Sequence, residues 1–216
     1  MASTQDNAQQ RAAYWPVAVI RAIPLAGAAL WITFTSNHSA AFGLLVFGIF
    51  GLVSGVTVGL LAWFRLDNSR VRPFFIAQGA VSLVAGLIAL LFRQGGTPYL
   101  FFIITLFAAI TGFLELYSGL RTRKRWVAST DWISVGGFTV VAALVFLVIP
   151  PGFSQSFKDP DGVTRVLDSA VVAVGVFGAY AAIVAVFLLI AGLSAKWGTQ
   201  PAVPVTDVAA EGEKTA

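Results

Sequence analysis

The chain has 216 residues, of which 57% are hydrophobic and 11% charged; it contains no cysteine and carries a formal charge of +4. A soluble domain is usually about 45–50% apolar and about 25% charged, so this composition excludes an ordinary soluble domain. The absence of cysteine excludes a disulfide framework, thiol catalysis and cysteine-ligated zinc. Because the basic residues collect in short gaps between apolar runs and form no basic face on a folded domain, we expect no nucleic-acid partner.

The chain begins with a polar segment and continues with six apolar runs. Residues 1–14 lack the pattern of a cleaved signal peptide and are predicted to be a polar cytoplasmic N-terminus. Each run is close to the roughly 20 residues with which a helix spans the hydrocarbon, and continuous stretches such as VSLVAGLIALLF lack the alternation of a barrel strand. The sequence therefore predicts an all-α membrane protein. Its predicted transmembrane helices are 15–35, 41–64, 73–92, 98–120, 132–149 and 169–195.

Two segments lie outside these runs. The transmembrane domain is predicted to cover 15–197, and the Pro- and Ala-rich segment 198–216 is predicted to be a disordered cytoplasmic tail. The loop 150–168 is the longest connection between runs, and its DPDG sequence indicates a turn. A calcium loop would need further ligands at a defined spacing, so we expect a turn there and no metal.

The basic residues of the loops and termini are distributed unevenly between the two sides of the predicted bundle. Ten fall on the side of both termini and three on the other, and the positive-inside rule makes the richer side cytoplasmic. The six tryptophans lie near the ends of runs, where their rings anchor at the interface. We therefore expect a multi-pass protein of the cell (plasma or inner) membrane with both termini in the cytoplasm. The ten residues are Arg11, Arg65, Arg70, Arg72, Arg121, Arg123, Lys124, Arg125, Lys196 and Lys214.

The densest basic cluster follows the fourth run. Its residues are Arg121, Arg123, Lys124 and Arg125. We interpret the cluster chiefly as a determinant of topology. It is also a candidate to bind anionic lipid headgroups, which is worth about 1 kcal/mol per charge.

An internal repeat is visible in the order of the runs. The odd-numbered runs can be overlaid, and this overlay places Gln78 on Arg21. The even-numbered runs end alike, and a spacing of roughly sixty residues predicts three helical hairpins that enter and leave from the cytoplasm. The similar ends are Gly59-Leu60 before Arg65, Gly119-Leu120 before Arg121, and Gly192-Leu193 before Lys196.

Two successive segments, TGFLELYSGLRTRKRW and ISVGGFTVVAALVFLVIPPG, resemble the HdeD-like acid-resistance membrane proteins. The likeness covers most of residues 15–195 and is strongest between Phe74 and Gly152. It implies a small six-helix protein of the bacterial inner membrane with a repeated two-helix unit and a role in acid or stress tolerance. It implies no defined reaction. The chain departs from the family pattern in its long loop, its acidic tail and its last hairpin.

Three polar side chains are predicted to share one layer inside the membrane. Arg21 and Glu115 are the ionisable residues well inside the runs, and Gln78 falls at the same depth, roughly 8–9 Å from the cytoplasmic boundary. A charge at mid-bilayer costs at least about 2.5–3.5 kcal/mol, so such residues are candidates for function. One interpretation is a structural Arg21–Glu115 pair with Gln78 as a hydrogen-bond partner. The other makes Glu115 a proton-carrying site.

The second run carries Gly51, Gly55 and Gly59 at a spacing of four residues. Such a stripe lets another helix approach closely. We expect it to pack against a helix of the same chain, with a homo-oligomer interface as the alternative.

No catalytic or metal-binding constellation stands out in the sequence. The single histidine, His38, lies in a predicted loop and has no partner for a metal site or a triad. We therefore expect a non-enzymatic protein without a cofactor, embedded in the lipid bilayer and acting in acid or envelope stress tolerance. The alternative is a small transporter or channel that uses Glu115 as its proton- or ion-coupling residue.

Overall fold

The computed structural model describes residues 2–66, 71–158, 160, 162 and 164–200, apart from the side chains of residues 2–5 and 165. The predicted tail beyond residue 200, together with Arg70, Asp159, Asp161 and Lys214, lies outside the described residues. The described elements are α1 (Ala2–Thr33), α2 (Ala40–Arg65), α3 (Arg72–Leu91), α4 (Gly96–Arg121), α5 (Ser129–Val148), β1 (Ser154–Lys158), β2 (Thr164–Asp168) and α6 (Ser169–Lys196).

Within the described residues, six helices are long and apolar enough to cross a membrane. Large apolar side chains cover the outside of the bundle, where they would face lipid tails. Examples with more than half of their surface exposed are Phe102, Phe113, Leu147, Val148, Ile183 and Ile190. A surface of this kind is not stable in water over so large an area. The prediction of a multi-pass helical membrane protein is confirmed at this level.

The helix α1 extends further than the first apolar run. It begins at Ala2 and so includes the polar N-terminal segment, whose Ala and Gln residues have high helix propensity. Pro16 and Pro24 lie inside this helix. Because proline has no N–H, the carbonyl four residues before each one loses its helical hydrogen bond.

The loop between α5 and α6 forms a β-hairpin, an addition to the predicted all-α fold. β1 and β2 pair antiparallel, with Ser154 opposite Asp168 and Lys158 opposite Thr164. Asp168 then caps α6, because its Oδ1 accepts a hydrogen bond from the N–H of Val171 at 2.9 Å. The hairpin can form because this loop is long and polar enough to lie outside the bilayer.

The six helices form a closed ring in chain order. Each helix contacts the one before and after it, and α6 returns to α1. The even-numbered helices also contact one another, so they lie nearer to the axis of the bundle than the odd-numbered helices do. The closest pairs are α2 with α3, α4 with α5, and α6 with α1, which join helices of neighbouring expected hairpins.

Glycines produce the close approach of α2 and α3. A Cβ added to Gly51 would lie 2.8 Å from Gly86 Cα, and one added to Gly55 would lie 2.8 Å from the carbonyl oxygen of Gly79. At Gly59 an added Cβ would meet nothing within 4 Å, but the Gly59 backbone contacts Gly79. The whole stripe therefore lies against α3 of the same chain, as expected from the small-residue spacing.

One end of the bundle, which we call the basic end, carries both described termini and Arg65, Arg72, Arg121 and Lys196. Cationic side chains there lie over aromatic rings: Arg72 over Trp63 at 4.8 Å, and Lys196 over Trp15 at 5.0 Å. The predicted tryptophan belt needs one correction. Trp132 is 3% exposed and packs against Phe75, because the start of α5 is covered by neighbouring helices.

Candidate functional site

Arg21, Gln78 and Glu115 meet in the interior of the bundle. The Nη2 of Arg21 donates to both carboxylate oxygens of Glu115, at 2.7 and 2.8 Å. The Nε2 of Gln78 donates to Glu115 Oε2 at 3.0 Å. The three residues come from α1, α3 and α4, and the structure brings all three of the predicted layer together.

This cluster is buried and electrically balanced. Glu115 is 2% exposed and Arg21 and Gln78 are each 8% exposed. Desolvating two charges costs several kcal/mol per ion, which a close, hydrogen-bonded geometry offsets. The Arg21 guanidinium also lies 5.7 Å from the centre of the Phe75 ring, on the side towards the basic end. The positive charge of Arg21 and the negative charge of Glu115 therefore cancel within the layer.

A small cavity adjoins the cluster, and side chains from all six helices line it. Its volume is about 40 Å³, enough for about three water molecules at roughly 10–15 Å³ each. Arg21, Gln78 and Glu115 lie at its wall. The other polar side chains that line it are Ser54, Thr57, Ser82, Thr111, Thr139 and Tyr180. The centre of the bundle is thus polar along one stretch of its length.

One acceptor at this cavity has no partner. The Oε1 of Gln78 is buried without a hydrogen bond in the part of the chain that the structure describes. Donation from Nε2 to the Glu115 carboxylate fixes the orientation of the amide, because the reverse would set two acceptors against each other. A buried acceptor without a partner is uncommon in native proteins and points to a missing donor.

A phenylalanine cluster closes the cavity on the side away from the basic end. Phe47 and Phe50 of α2 pack edge-to-face on Phe107 and Phe177, with ring centres 5.2 to 6.1 Å apart. These rings come from α2, α4 and α6, and they present only apolar surface to this side of the cavity. The route to the cavity from that end is therefore blocked in this conformation.

A second, smaller cavity of about 20 Å³ lies between the cluster and the basic end. It shares Arg21 and Val58 with the first cavity and reaches Tyr14, Arg65 and Trp126. Arg21 consequently stands between the basic end and the polar centre of the bundle. The arrangement is asymmetric, with a small and mostly apolar cavity that reaches Arg65 on one side and an aromatic barrier on the other.

A further buried polar contact joins the two termini at the basic end, and sequence reasoning missed it. Gln200 donates from Nε2 to Asp131 Oδ2 at 2.7 Å, and Arg11 donates to the carbonyl oxygen of Gln200. Gln10 accepts from the N–H of Val127 at 2.9 Å. Asp131 at the start of the fifth run was a visible signal, but its partner lies 69 residues away. These contacts connect α1, α5 and the segment after α6.

The remaining predicted residues lie apart from the cavity. Arg121, Arg123, Lys124 and Arg125 are exposed at the basic end. His38 is half-buried in the loop before α2, with its ring Nδ1 3.3 Å from the carbonyl oxygen of Ser36. Among the described residues, no group of three or more His, Asp or Glu side chains is placed to hold a metal ion.

The comparisons with known proteins identify no relative. The chain matches no protein-family model, and no characterised protein or solved structure matches it significantly. The resemblance to the HdeD-like proteins therefore stays a prediction from the sequence.

Proposed function

We propose that the chain is a small membrane transporter whose binding site is the cavity beside Glu115. One observation carries the proposal: Arg21, Gln78 and Glu115 converge on the wall of a cavity of about 40 Å³. A purely structural ion pair needs no such space, because tight packing around it strengthens the contact. The small cavity that reaches Arg65 at the basic end and the phenylalanine barrier opposite suit a site that opens to one side at a time.

Glu115 is the coupling residue in this proposal. It is the acidic side chain of the cavity, and its charge is held by one arginine and one amide. Protonation of Glu115 would release Arg21 from its partner and leave a positive charge in the bundle. Binding of a proton or solute at this point would therefore change the balance between packed states.

Proton flux into liposomes tests the proposal. The full chain is reconstituted with a pH-sensitive dye inside the vesicles, and a pH gradient is imposed. We expect acidification faster than in empty vesicles, and Glu115→Gln should abolish the difference. The matched control is Asp131→Asn, which removes a buried acid outside the cavity and should leave flux intact. Flux equal to that of empty vesicles, or unchanged flux in Glu115→Gln, would refute the proposal.

We further propose that the six helices are three repeated hairpins with both termini in the cytoplasm. One observation supports the repeat. Arg21 and Gln78, which the overlay of the odd-numbered runs places on one another, both line the cavity. The basic residues concentrated at one end support the orientation, because positively charged loops remain in the cytoplasm.

The role in acid or envelope stress tolerance is a separate proposal that rests on the sequence resemblance alone. It predicts that a deletion strain survives low pH less well than its parent and that the intact chain restores survival. Equal survival of the two strains would count against it. The proposal that the protein is not an enzyme likewise rests on the sequence.

Contact with anionic lipid headgroups is proposed for the exposed basic cluster after α4. Arg121 lies near the rings of Phe74 and Tyr117, at 5.8 and 5.9 Å, and aromatic rings beside a cation are typical of a membrane interface, which supports this proposal. Binding to vesicles with and without anionic lipid tests this proposal.

A further inference from the structure

Several hydroxyl groups around the central cavity have their hydrogens engaged elsewhere. Ser82, Thr111 and Thr139 each donate to the carbonyl oxygen four residues earlier, at 2.8, 2.7 and 2.8 Å. Since the hydrogen of Thr139 is used, Tyr180 is the donor in their 2.8 Å contact. These four oxygens therefore have lone pairs, and no hydrogens, left for a ligand in the cavity.

The unpartnered Oε1 of Gln78 adds a fifth acceptor. Donors at the same wall are the Ser54 hydroxyl and Arg21. The Arg21 guanidinium has five N–H groups, of which the contacts with Glu115 engage those of Nη2. A ligand that fits this wall has to donate to Gln78 and can accept from Arg21. A hydroxyl group does both, whereas an ammonium group only donates and a carboxylate only accepts.

The charge of the wall also selects among ligands. The Arg21–Glu115 pair is already neutral, so a charged ligand would be buried without a counter-charge. That cost excludes ammonium and carboxylate heads more strongly than the hydrogen-bond pattern does. The ligand expected from the wall is uncharged and carries a hydroxyl group.

An apolar groove between α1 and α2 on the lipid-facing surface adjoins this cavity, and Phe50 separates the two. The groove has a volume of about 290 Å³, and Pro24 and Phe50 line both the groove and the cavity. Gly27 widens it, since a Cβ added there would meet nothing within 4 Å. The groove between α5 and α6, which contains Ala182, shares no lining residue with the cavity.

We infer that the protein binds an uncharged, membrane-dissolved amphiphile with its hydroxyl head in the central cavity and its alkyl chain in the groove between α1 and α2. The inference rests on the proposed function, because it names the ligand class and the entry route of the same site. Phe50 lies between the cavity and the groove, so its side chain has to turn aside for one ligand to occupy both.

Photolabelling of the full chain in lipid nanodiscs tests the inference. The probes are a tetradecyl alcohol, amine and carboxylate that each carry a diazirine in the chain, and cross-linked peptides are identified by mass spectrometry. We expect the alcohol to label α1 and α2 and the two charged probes to label them roughly tenfold less. The labelled positions should line the groove.

Variants separate this site from general lipid contact. Gly27→Phe fills the groove and should abolish labelling by the alcohol, and Gln78→Leu, which removes the acceptor, should lower it roughly tenfold. Ala182→Phe is the matched control, because it fills the groove between α5 and α6 and should leave labelling unchanged. Thermal unfolding of each variant confirms that it folds, and Gln78→Met replaces Gln78→Leu if the latter does not.

Other outcomes overturn the inference. Equal labelling by the three probes, equal labelling of all grooves, or loss of labelling in Ala182→Phe would each show ordinary lipid contact. Specific labelling without proton flux would contradict the transporter proposal and leave the ligand class standing. Flux that requires Glu115, without specific labelling, would contradict the ligand class and leave the transporter proposal standing.

Discussion

At the scale of single residues, the Arg21–Glu115 pair is the most consequential contact in the bundle. Its charges are almost fully buried, and Gln78 holds the carboxylate from a third helix. The depth of these residues along their helices was predictable because rise per residue is constant. Their meeting was not, since depth does not say which way a side chain points around its helix.

Removal of one partner of this pair should destabilise the protein more than removal of both charges. Arg21→Met leaves the Glu115 carboxylate buried without its cation and should cost about 3–5 kcal/mol of unfolding free energy. Adding Glu115→Gln should recover most of that loss, because the new amide can still accept from Gln78. Denaturant unfolding in detergent measures both. A double variant no more stable than Arg21→Met would contradict this expectation.

At the scale of elements, helix pairing depends on glycines. The α2–α3 contact is close enough that backbone atoms meet, and the same device recurs between α4 and α5, where a Cβ on Gly112 would lie 2.9 Å from the N–H nitrogen of Val140. The glycine stripe in the second run predicted close packing. It did not identify α3 as the partner, because glycine spacing is a property of one helix alone.

The substitution Gly86→Leu should separate α2 from α3. A Cβ at Gly86 would lie 2.7 Å from the carbonyl oxygen of Gly48 and from the nitrogen of Leu52, and backbone atoms cannot move aside as side chains do. We expect a loss of about 1–3 kcal/mol or more. The control is Gly175→Leu on α6, where an added Cβ meets nothing within 4 Å. Thermal unfolding followed by tryptophan fluorescence compares them, and equal stability would refute the packing argument.

At the scale of the whole molecule, the bundle has one basic end and one end that carries a β-hairpin. Contacts of Arg11 with the carbonyl oxygens of Gly198 and Gln200 bring the two described termini together. The phenylalanine cluster and the polar cavity lie in series between the two ends. Because the cluster closes the cavity on one side only, the direction of any transport depends on which end of the bundle faces the cytoplasm.

Cysteine labelling tests the orientation, and the chain suits it because it contains no native cysteine. We expect Ser156→Cys in the hairpin to react with a membrane-impermeant maleimide in intact cells. Arg123→Cys at the basic end should react only after the cells are permeabilised. Both positions are exposed, so accessibility within the fold does not separate them. The opposite pattern would reverse the proposed topology.

The sequence alone determined the six spans. The length of an apolar run is a local property of the sequence, and it decides whether a helix can cross the hydrocarbon of a bilayer. It also placed Arg21, Gln78 and Glu115 at one depth, since position along a helix follows from residue number. The tertiary structure decided which helices pair, that the three polar residues share a cavity, and that Gln78 keeps one acceptor unpaired. It also decided that Gln200 reaches Asp131. These features depend on rotation and contact between segments far apart in the chain, which periodicity and composition do not encode.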